Sequence, residues 1–360
     1  MSSGPAHIRL SSTGSYPRVS DNPESQLLER TAISFGRGER TSADLLDAQN
    51  TVTRRAISEQ VSAGLEIVTD GQIRWNDPIS HLAAKLGNVT LQASLPFFDT
   101  QKLFRQPLCC GKPVRRGAMI VDEYSFARNA LGHLKTPPGK AGKLAIKPVL
   151  TGPYTLAKLS ASDSAAKNGT SDHRASLEDR VQAYAEILAL EIDALAQSGA
   201  HLIQIDEPAI LAHPDDWIIF EAAVNCLAES RDKVHQAGRK LDLALYSYFG
   251  DASPLYAKLI RLPLEILGLD FVSSPALLET ILSVGAPKSL ALGLVDGRNP
   301  KMENVTELAK QIDRILPKIT GSQVFLGTSC GLEYLAADVA FAKLASLSNV
   351  LVTFTGASKT

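Results

Sequence analysis

Eight short apolar runs, each bounded by turn residues, recur along the chain, and amphipathic stretches of helical length follow most of them. This alternation is typical of repeated β-α units that build a parallel sheet. Eight repeats favour a closed barrel over an open sheet. We therefore predict an α/β fold, a (β/α)8 TIM barrel, with strands near residues 8–15, 66–70, 147–151, 202–206, 243–248, 266–271, 291–296 and 324–327.

One segment, residues 88–124, breaks this alternation, because it has strand-like pieces and turn dipeptides but no helical period. We predict that it is a β-hairpin inserted after the second strand, on the barrel face whose loops carry function. Apart from this insertion, residues 1–360 are expected to form a single barrel domain.

The charge balance and the cysteine spacing argue against several classes of function. The 37 Lys and Arg against 38 Asp and Glu leave a net charge of -1, so we expect no general attraction to nucleic acid or to a membrane surface. The longest apolar runs are far shorter than the roughly 20 residues that span a bilayer, and the first residues lack the apolar core of a secretory signal. The four cysteines form no CxxC, so no structural zinc module is predicted. A cytoplasmic protein acting on small molecules is the expectation.

The predicted strands end in polar and acidic residues, and in a barrel these ends build the active site. Any single carboxylate there could simply cap the following helix. A ring of carboxylates, however, must bind a cation or ammonium, be bridged by arginines such as Arg74, or shift its pKa values upward. The strand-end residues are Ser15, Asp70, Thr151, Asp206, Glu207, Tyr246, Tyr248, Asp270, Asp296 and Cys330.

Six motifs at these positions resemble those of the cobalamin-independent methionine synthase family, in the family's order and spacing. They are TGSYPR at 13–18, VTDGQIRWNDP at 68–78, KPVLTGPYTLAKLS at 147–160, IQIDEPA at 203–209, LGLVDGRNPKMENV at 292–305 and TSCGLEYL at 328–335. QIDEPA with a preceding TGPYT and a later SCGL is the most specific combination. The resemblance covers residues 13–335.

This resemblance implies a (β/α)8 fold in which a catalytic zinc activates the thiolate of homocysteine for methyl transfer from methyl-folate or a methyl-corrinoid. It implies a homocysteine-like amino acid lying over Ser15 and Asp206. In the family the second-strand motif is usually DGE, whose Glu binds the substrate ammonium; here Gln72 accepts a hydrogen bond without supplying charge. The implied substrate-binding residues are Ser15, Asp70, Gln72, Arg74, Asp206 and Glu207.

The family's zinc ligands are mostly replaced in this sequence. The positions that match the family's His-x-Cys, Glu and Cys ligands are Tyr246, Tyr248, Asp270 and Cys330. A tyrosine phenol keeps its proton near pH 7, so only Cys330 and Asp270 can ligate, and two ligands hold zinc weakly. We therefore treat Cys330, with Asp270, as the remnant of a metal site. The candidate catalytic residues are Asp206, Tyr246, Tyr248 and Asp270.

Three functions remain open from the sequence. The first is a methyltransferase acting on homocysteine or a similar thiol, with methyl-folate or a methyl-corrinoid as methyl donor and zinc as the family's metal. The second is a non-catalytic barrel that partners a separate zinc-bearing barrel, because SYFGD at 247–251 resembles the non-catalytic N-terminal half of long methionine synthases. The third is a metal-free lyase or transferase with Tyr246 or Tyr248 as proton donor. Cys330 could also be a small buried hydrophobe, and the two tyrosines could be core packing.

Overall fold

The computed structural model describes residues 7–20, 22–135, 142–162 and 173–357. Within them, strands β1 to β12 span His7–Leu10, Ile67–Val68, Leu86–Pro96, Leu103–Arg115, Ala145–Ile146, Val149–Thr151, Ala161–Ser162, Leu202–Asp206, Asp242–Ser247, Ile266–Asp270, Ser289–Val295 and Gln323–Thr328. Helices α1 to α12 span Pro23–Gly36, Ser42–Ser62, Ser80–Ala83, Val121–Gly132, Pro153–Leu159, His173–Gln197, Ala209–Ala212, Trp217–Gln236, Tyr256–Leu259, Leu277–Val284, Val305–Ile315 and Ala337–Ala357.

Seven of the strands form one parallel sheet in the order β1-β12-β11-β10-β9-β8-β6. Strands covered on both faces by helices have continuous apolar sequences rather than alternating ones. β11, with the sequence SLALGLV, is buried at every position. The predicted α/β fold with a parallel sheet is confirmed, and its closure into an eight-stranded barrel stays a prediction.

The chain divides into two compact units. Unit 1 comprises Met1–Arg74, Glu123–Lys147 and Leu269–Thr360, and unit 2 comprises Trp75–Asp122 and Pro148–Gly268. In unit 1, β1 pairs in parallel with β12, and β12 pairs with β11. β2 pairs in parallel with β5.

The first two predicted strands of unit 1 are shorter than the sequence indicated. β1 ends at Leu10 and β2 at Val68. Beyond them the backbone makes isolated contacts, a bridge between Ser11 and Ile67 and a 2.9 Å hydrogen bond from the Tyr16 amide to the Gly71 carbonyl. The residues that carry the motifs TGSYPR and DGQIR therefore lie in irregular backbone that isolated hydrogen bonds hold in place.

Unit 2 contains the parallel strands β6, β8 and β9 and a separate three-stranded sheet. In that sheet β3 and β4 form an antiparallel hairpin, and β4 also pairs with β7. The hairpin strands run from Leu86 to Arg115, so they overlap the predicted insertion at 88–124 and begin two residues before it. The last residues of the predicted segment, 121–124, are helical and begin α4.

Helix α12 in unit 1 is long and apolar enough to cross a membrane, judged by length and composition alone, over Ala337–Thr355. The sequence shows no unbroken apolar run there, because polar residues such as Lys343 and Asn349 interrupt it. Its buried residues Ala340, Leu344 and Leu347 follow helical spacing. The same face carries the fully buried Lys343, which pairs with Glu303. This pattern is typical of a helix packed on a protein core, since a lysine paired in the protein marks the inward face.

Candidate functional site

Asp206 ends β8 in unit 2, and only 7% of its surface is exposed. Gln204 Nε2 donates a 2.6 Å hydrogen bond to Asp206 Oδ1, and the Tyr248 hydroxyl donates one of 3.1 Å to Oδ2. Hydrogen bonds to a carboxylate stabilise its ionised form. The structure thus brings together two predicted site residues, Asp206 and Tyr248, from neighbouring strand ends.

Glu207, the next residue, faces a different partner. Its carboxylate accepts hydrogen bonds from the amides of Tyr154 and Thr155, at 2.9 and 2.8 Å, and from the Thr155 hydroxyl at 2.6 Å. These donors lie in the first turn of α5, where backbone amides have no partner within the helix. Glu207 therefore caps α5. This geometry favours a structural role, and its predicted contact with substrate stays a prediction.

Gly152 leaves the space that Glu207 occupies. A Cβ atom at position 152 would overlap the Glu207 carboxylate. The motifs TGPYT and QIDEP, which are 52 residues apart at their Thr155–Glu207 contact, are therefore one packed arrangement.

Burial raises the pKa of Glu207 to about 7, with a further contribution from the negative charge of Asp206. The hydrogen bonds from Thr155 and Tyr154 act in the opposite direction. Glu207 therefore titrates near neutral pH directly beside Asp206. A group of this kind can hold a proton close to a functional carboxylate.

Tyr246 and Tyr248 are both nearly buried, with 7% and 8% of their surfaces exposed. The Tyr246 ring lies against the backbone of Gly268, where a Cβ atom would come within 2.5 to 2.7 Å of it. The Tyr246 carbonyl accepts the Glu207 amide at 2.8 Å. Tyr248 is the one whose hydroxyl reaches the Asp206 carboxylate, so within unit 2 the two tyrosines are not equivalent.

The sequence alone did not single out two residues beside Asp206 and Tyr248, namely Gln204 and Phe249. Gln204 lies two residues before Asp206 on β8, and alternation along a strand places both on the same face, so the signal was available. Phe249 follows Tyr248 with a positive φ of 66°, a conformation that costs a bulky residue roughly 1–3 kcal/mol. No local sequence signal predicts that conformation.

In unit 1, Ser15 lies against the motif TSCG. The Leu332 amide donates to the Ser15 carbonyl at 2.8 Å, and a Cβ atom at Gly331 would overlap the Ser15 hydroxyl. The Thr13 hydroxyl donates to the Thr328 carbonyl at 2.7 Å. The first and last motifs of the chain are therefore held side by side.

Gln72 has a positive φ of 52°, directly after Gly71 with φ 72°. Its amide donates a 3.0 Å hydrogen bond to Asp70 Oδ1. A Cβ atom on Gly14 would lie 3.8 Å from Gln72 Oε1, so the side-chain amide of Gln72 lies beside Gly14, the residue before Ser15. The structure therefore places Gln72 beside the segment that carries TGSYPR, and its predicted contact with substrate stays a prediction.

Asp70 is half-buried. Desolvation of its carboxyl group raises its pKa to about 6, and the negative charge of Glu123 adds to this effect. The amide of Gln72 and the guanidinium of Arg74 act in the opposite direction. Arg74 donates to the Asn50 side chain at 2.5 Å and lies 5.1 Å from the centre of the Phe126 ring. Arg74 thus influences Asp70 through charge, in line with the predicted arginine partners of the strand-end carboxylates.

Cys330 and Asp270 are the two predicted remnants of the metal site, and both are buried in unit 1. Burial raises the pKa of the Cys330 thiol well above its usual range, and the negative charge of Asp270 adds to the effect. Asp270 Oδ1 accepts the amides of Val272 and Ser273, each at 2.9 Å, which ties the turn after β10. Both residues therefore have contacts of a structural kind.

A catalytic zinc needs three protein ligands and an open position. Among the described residues, no group of three or more His, Cys, Asp or Glu side chains is arranged to hold a metal ion. Cys330 and Asp270 supply two of the three donors that such a centre requires. These residues do not fit the family's catalytic zinc centre.

The motif DGRN forms a turn in unit 1. Asp296 Oδ1 accepts the amides of Arg298 and Asn299, at 2.8 and 3.2 Å, and the Asp296 amide donates to Glu303 at 2.9 Å. Glu303 is fixed in turn by the buried Lys343, at 2.6 Å. Asp296 therefore shapes its own loop.

The sequence profile of a family described as the cobalamin-independent synthase N-terminal domain matches residues 124–320, more than half of the chain. The chain belongs to the cobalamin-independent methionine synthase family. The part of this family member that the profile covers contains Asp206, Tyr246, Tyr248 and Asp270. Ser15, Gln72 and Cys330 lie outside it.

Similar proteins are found over almost the full length of this family member. Methionine synthase of Saccharolobus solfataricus is 26% identical over 335 residues, which are 93% of this chain and 91% of the relative. Methionine synthase of Sulfolobus acidocaldarius is 24% identical over 337 residues, 93% of this chain and 88% of the relative.

Two solved structures share the fold. A B12-independent methionine synthase from Shewanella sp. W3-18-1, in complex with selenomethionine, has a TM-score of 0.75 at 20% identity and covers 99% of this chain and 100% of its own. A methyltransferase from Methanosarcina mazei has a TM-score of 0.64 at 13% identity, covering 98% and 95%. At these identities the likeness concerns the fold alone.

Proposed function

We propose that this family member is a methyltransferase that methylates the sulfur of homocysteine or a similar small amino-acid thiol, with methyl-folate as the methyl donor. The observation that carries the proposal is the buried Asp206 carboxylate, to which two neutral donors, Gln204 and Tyr248, direct hydrogen bonds. Hydrogen bonds from donors of this kind fix a carboxylate in place and favour its ionised form. A fixed, ionised carboxylate suits the ammonium group of an amino acid.

The whole-length match supports the same proposal. The relatives named methionine synthase are matched over about nine tenths of their length, so the likeness is not confined to one motif. Asp206 would bind the substrate ammonium, with Tyr248 and Tyr246 as candidate catalytic groups. In unit 1, Ser15, Asp70, Gln72 and Arg74 stay proposed substrate-binding residues, as does Glu207 in unit 2.

Thiol methylation requires that the acceptor sulfur lose its proton. That proton goes to a protein group or to water. In the proposed reaction the methyl group leaves the nitrogen of methyl-folate and bonds to the sulfur, and that nitrogen gains a proton. Whether Asp270 or Cys330 takes part is a separate question that the metal content of the protein answers.

The first experiment is calorimetric titration of homocysteine into the full chain and into Asp206→Asn. Loss of the charge should raise Kd about 10- to 100-fold, because a hydrogen bond to a charged group contributes roughly 1.5–3 kcal/mol. The matched control is Asp251→Asn, an exposed acid four residues after Ser247. Equal affinities of wild type and Asp206→Asn would argue against the proposed role of Asp206.

The second experiment measures methyl transfer from methyl-folate to homocysteine, together with the zinc content of wild type and Cys330→Ser. Turnover without bound zinc would support a metal-free methyl transfer. Near-stoichiometric zinc that falls in Cys330→Ser would point to an unorthodox site at that cysteine. Binding without turnover under any condition would argue against the methyltransferase proposal.

A second candidate function has its own support, because the matching family profile describes an N-terminal domain. On that proposal the chain is a non-catalytic barrel beside a separate zinc-bearing barrel. The discriminating outcome is the absence of both homocysteine binding and methyl transfer by the isolated chain, together with stimulation of a zinc-bearing methionine synthase barrel when this chain is added.

A further inference from the structure

The turn between β3 and β4 carries two adjacent phenylalanines, Phe97 and Phe98. The Phe97 amide donates to the Lys102 carbonyl at 2.9 Å, and the Thr100 hydroxyl donates to the Phe97 carbonyl at 2.6 Å. Within this closed turn Phe98 has a positive φ of 52°. The turn is therefore a defined structure that presents aromatic rings.

These rings pack against Phe249. The ring centres of Phe97 and Phe98 lie 6.0 and 5.6 Å from that of Phe249. Phe97 is anchored beneath by Phe104 of β4, at 6.2 Å, and both are only 2% exposed. The hairpin thus contacts Phe249 through two adjacent rings, in the distance range where aromatic pairs attract.

Phe249 itself continues to the candidate site. It has a positive φ of 66° and directly follows Tyr248, whose ring centre lies 4.6 Å from its own. The Tyr248 hydroxyl is the group that donates to Asp206. A chain of direct contacts therefore runs from Phe98 through Phe249 and Tyr248 to the Asp206 carboxylate, all within unit 2.

Two phenylalanines in the left-handed region facing each other are an unusual arrangement for packing alone. A bulky residue keeps such a backbone only where the surroundings impose it. Here the surroundings of Phe249 include the two hairpin rings, and the conformation at 249 sets the direction in which the chain leaves Tyr248. Phe249 therefore joins the hairpin rings to the ring of Tyr248 by direct contact.

We propose that the β3–β4 turn is a positioning element for the candidate site, in which Phe97 and Phe98 hold Phe249 and thereby direct the Tyr248 hydroxyl to Asp206. Phe98 and Phe249 are positioning residues. The proposal uses the proposed function only for the identity of the ligand that Asp206 binds. It gives the inserted hairpin a role that neither its sequence nor the family match assigns.

Fluorine NMR of the full chain labelled with 3-fluorotyrosine tests the linkage without any ligand. The Tyr248 signal, one of eight tyrosine signals, is assigned by its absence in Tyr248→Phe. It should shift in Asp206→Asn because its hydrogen-bond acceptor changes. The proposal expects Phe98→Leu to shift or broaden the same signal, while Leu103→Ala, a 58% exposed site at the same hairpin end, leaves it unchanged.

Phe98→Tyr keeps the ring and adds a ninth labelled signal of its own, while the Tyr248 signal should stay at its wild-type position. This variant separates loss of the aromatic contact from general damage to the hairpin. If Phe98→Leu does not fold, Phe98→Met provides a second ring-free variant. A Tyr248 signal that stays at its wild-type position in a folded ring-free variant would overturn the proposal.

Homocysteine affinity gives the second readout. Phe98→Leu should raise Kd about 3- to 10-fold, and it should add nothing in the Tyr248→Phe background, because it acts through that hydroxyl. Additive effects of the two changes would overturn the proposed route through Tyr248. If wild type itself fails to bind homocysteine, the proposed function fails, while the fluorine spectra still decide the role of the hairpin.

Discussion

The Thr155 hydroxyl donates a 2.6 Å hydrogen bond to the Glu207 carboxylate, and both side chains are fully buried. Together with the amides of Tyr154 and Thr155, this contact joins the end of β8 to the start of α5. We predict that Glu207→Gln lowers the free energy of unfolding by about 1–3 kcal/mol. The amide has one acceptor oxygen, so at least one buried donor loses its partner.

Urea unfolding of Glu207→Gln, with the exposed Glu221→Gln on α8 as the control, measures this loss. The control should stay within about 0.5 kcal/mol of wild type. An equally small effect at both positions would mean that the buried cap contributes little.

The raised pKa of Glu207 predicts a pH dependence of stability. Its pKa is about 7 in the folded protein against an ordinary value of 4.5, so between these values the folded state keeps a proton that the unfolded state releases. Stability relative to Glu207→Gln should therefore fall as pH rises from about 4.5 to 7, by up to about 1.4 kcal/mol per pH unit. Above pH 7 the difference should be constant. Unfolding curves of the two proteins that run parallel from pH 5 to 8 would contradict this prediction.

Gly152 is predicted to be intolerant of even one methyl group. Its φ of -72° suits any residue, so Gly152→Ala introduces only the overlap with Glu207. Overpacking of this kind costs about 1–3 kcal/mol. Gly117→Ala, where no atom lies within 4 Å of the new Cβ, should leave the thermal midpoint close to that of wild type.

The effects of Gly152→Ala and Glu207→Ala should not be additive, since removal of the carboxylate makes room for the methyl group. Strict additivity in a double-mutant cycle would mean that the methyl group disturbs something other than Glu207.

Lys343 and Glu303 form a buried ion pair whose disruption should be costly. Lys343 is fully buried and donates to Glu303 and to the Lys301 carbonyl, both at 2.6 Å. Lys343→Met leaves the Glu303 charge unpaired, and we expect a loss of about 3–5 kcal/mol. Adding Glu303→Gln should recover part of it, because the amide still accepts the Asp296 hydrogen bond.

The matched control for the ion pair is Lys310→Met, which removes an exposed partner of Glu307 on α11. It should change the free energy of unfolding by less than about 1 kcal/mol. A double variant no more stable than Lys343→Met would argue against charge burial as the cause of the loss.

The sequence determined the α/β fold with a parallel sheet and the position of Asp206 at a strand end. Apolar runs and their period are local properties, and burial of continuous apolar strands by helices follows from them. The same local reasoning predicted that β1 extends to residue 15, whereas the strand ends at Leu10. Irregular backbone held by isolated hydrogen bonds leaves no periodic signal in the sequence.

Only the tertiary structure decided how neighbouring residues divide their roles. Asp206 and Glu207 are adjacent in sequence, yet one receives Tyr248 from 42 residues away and the other caps α5 from 52 residues away. The contact of Phe98 with Phe249, and the positive φ of both, likewise arise between distant segments. Hydrogen-bond partners and backbone strain of this kind depend on which segments the fold brings together, and no local pattern specifies them.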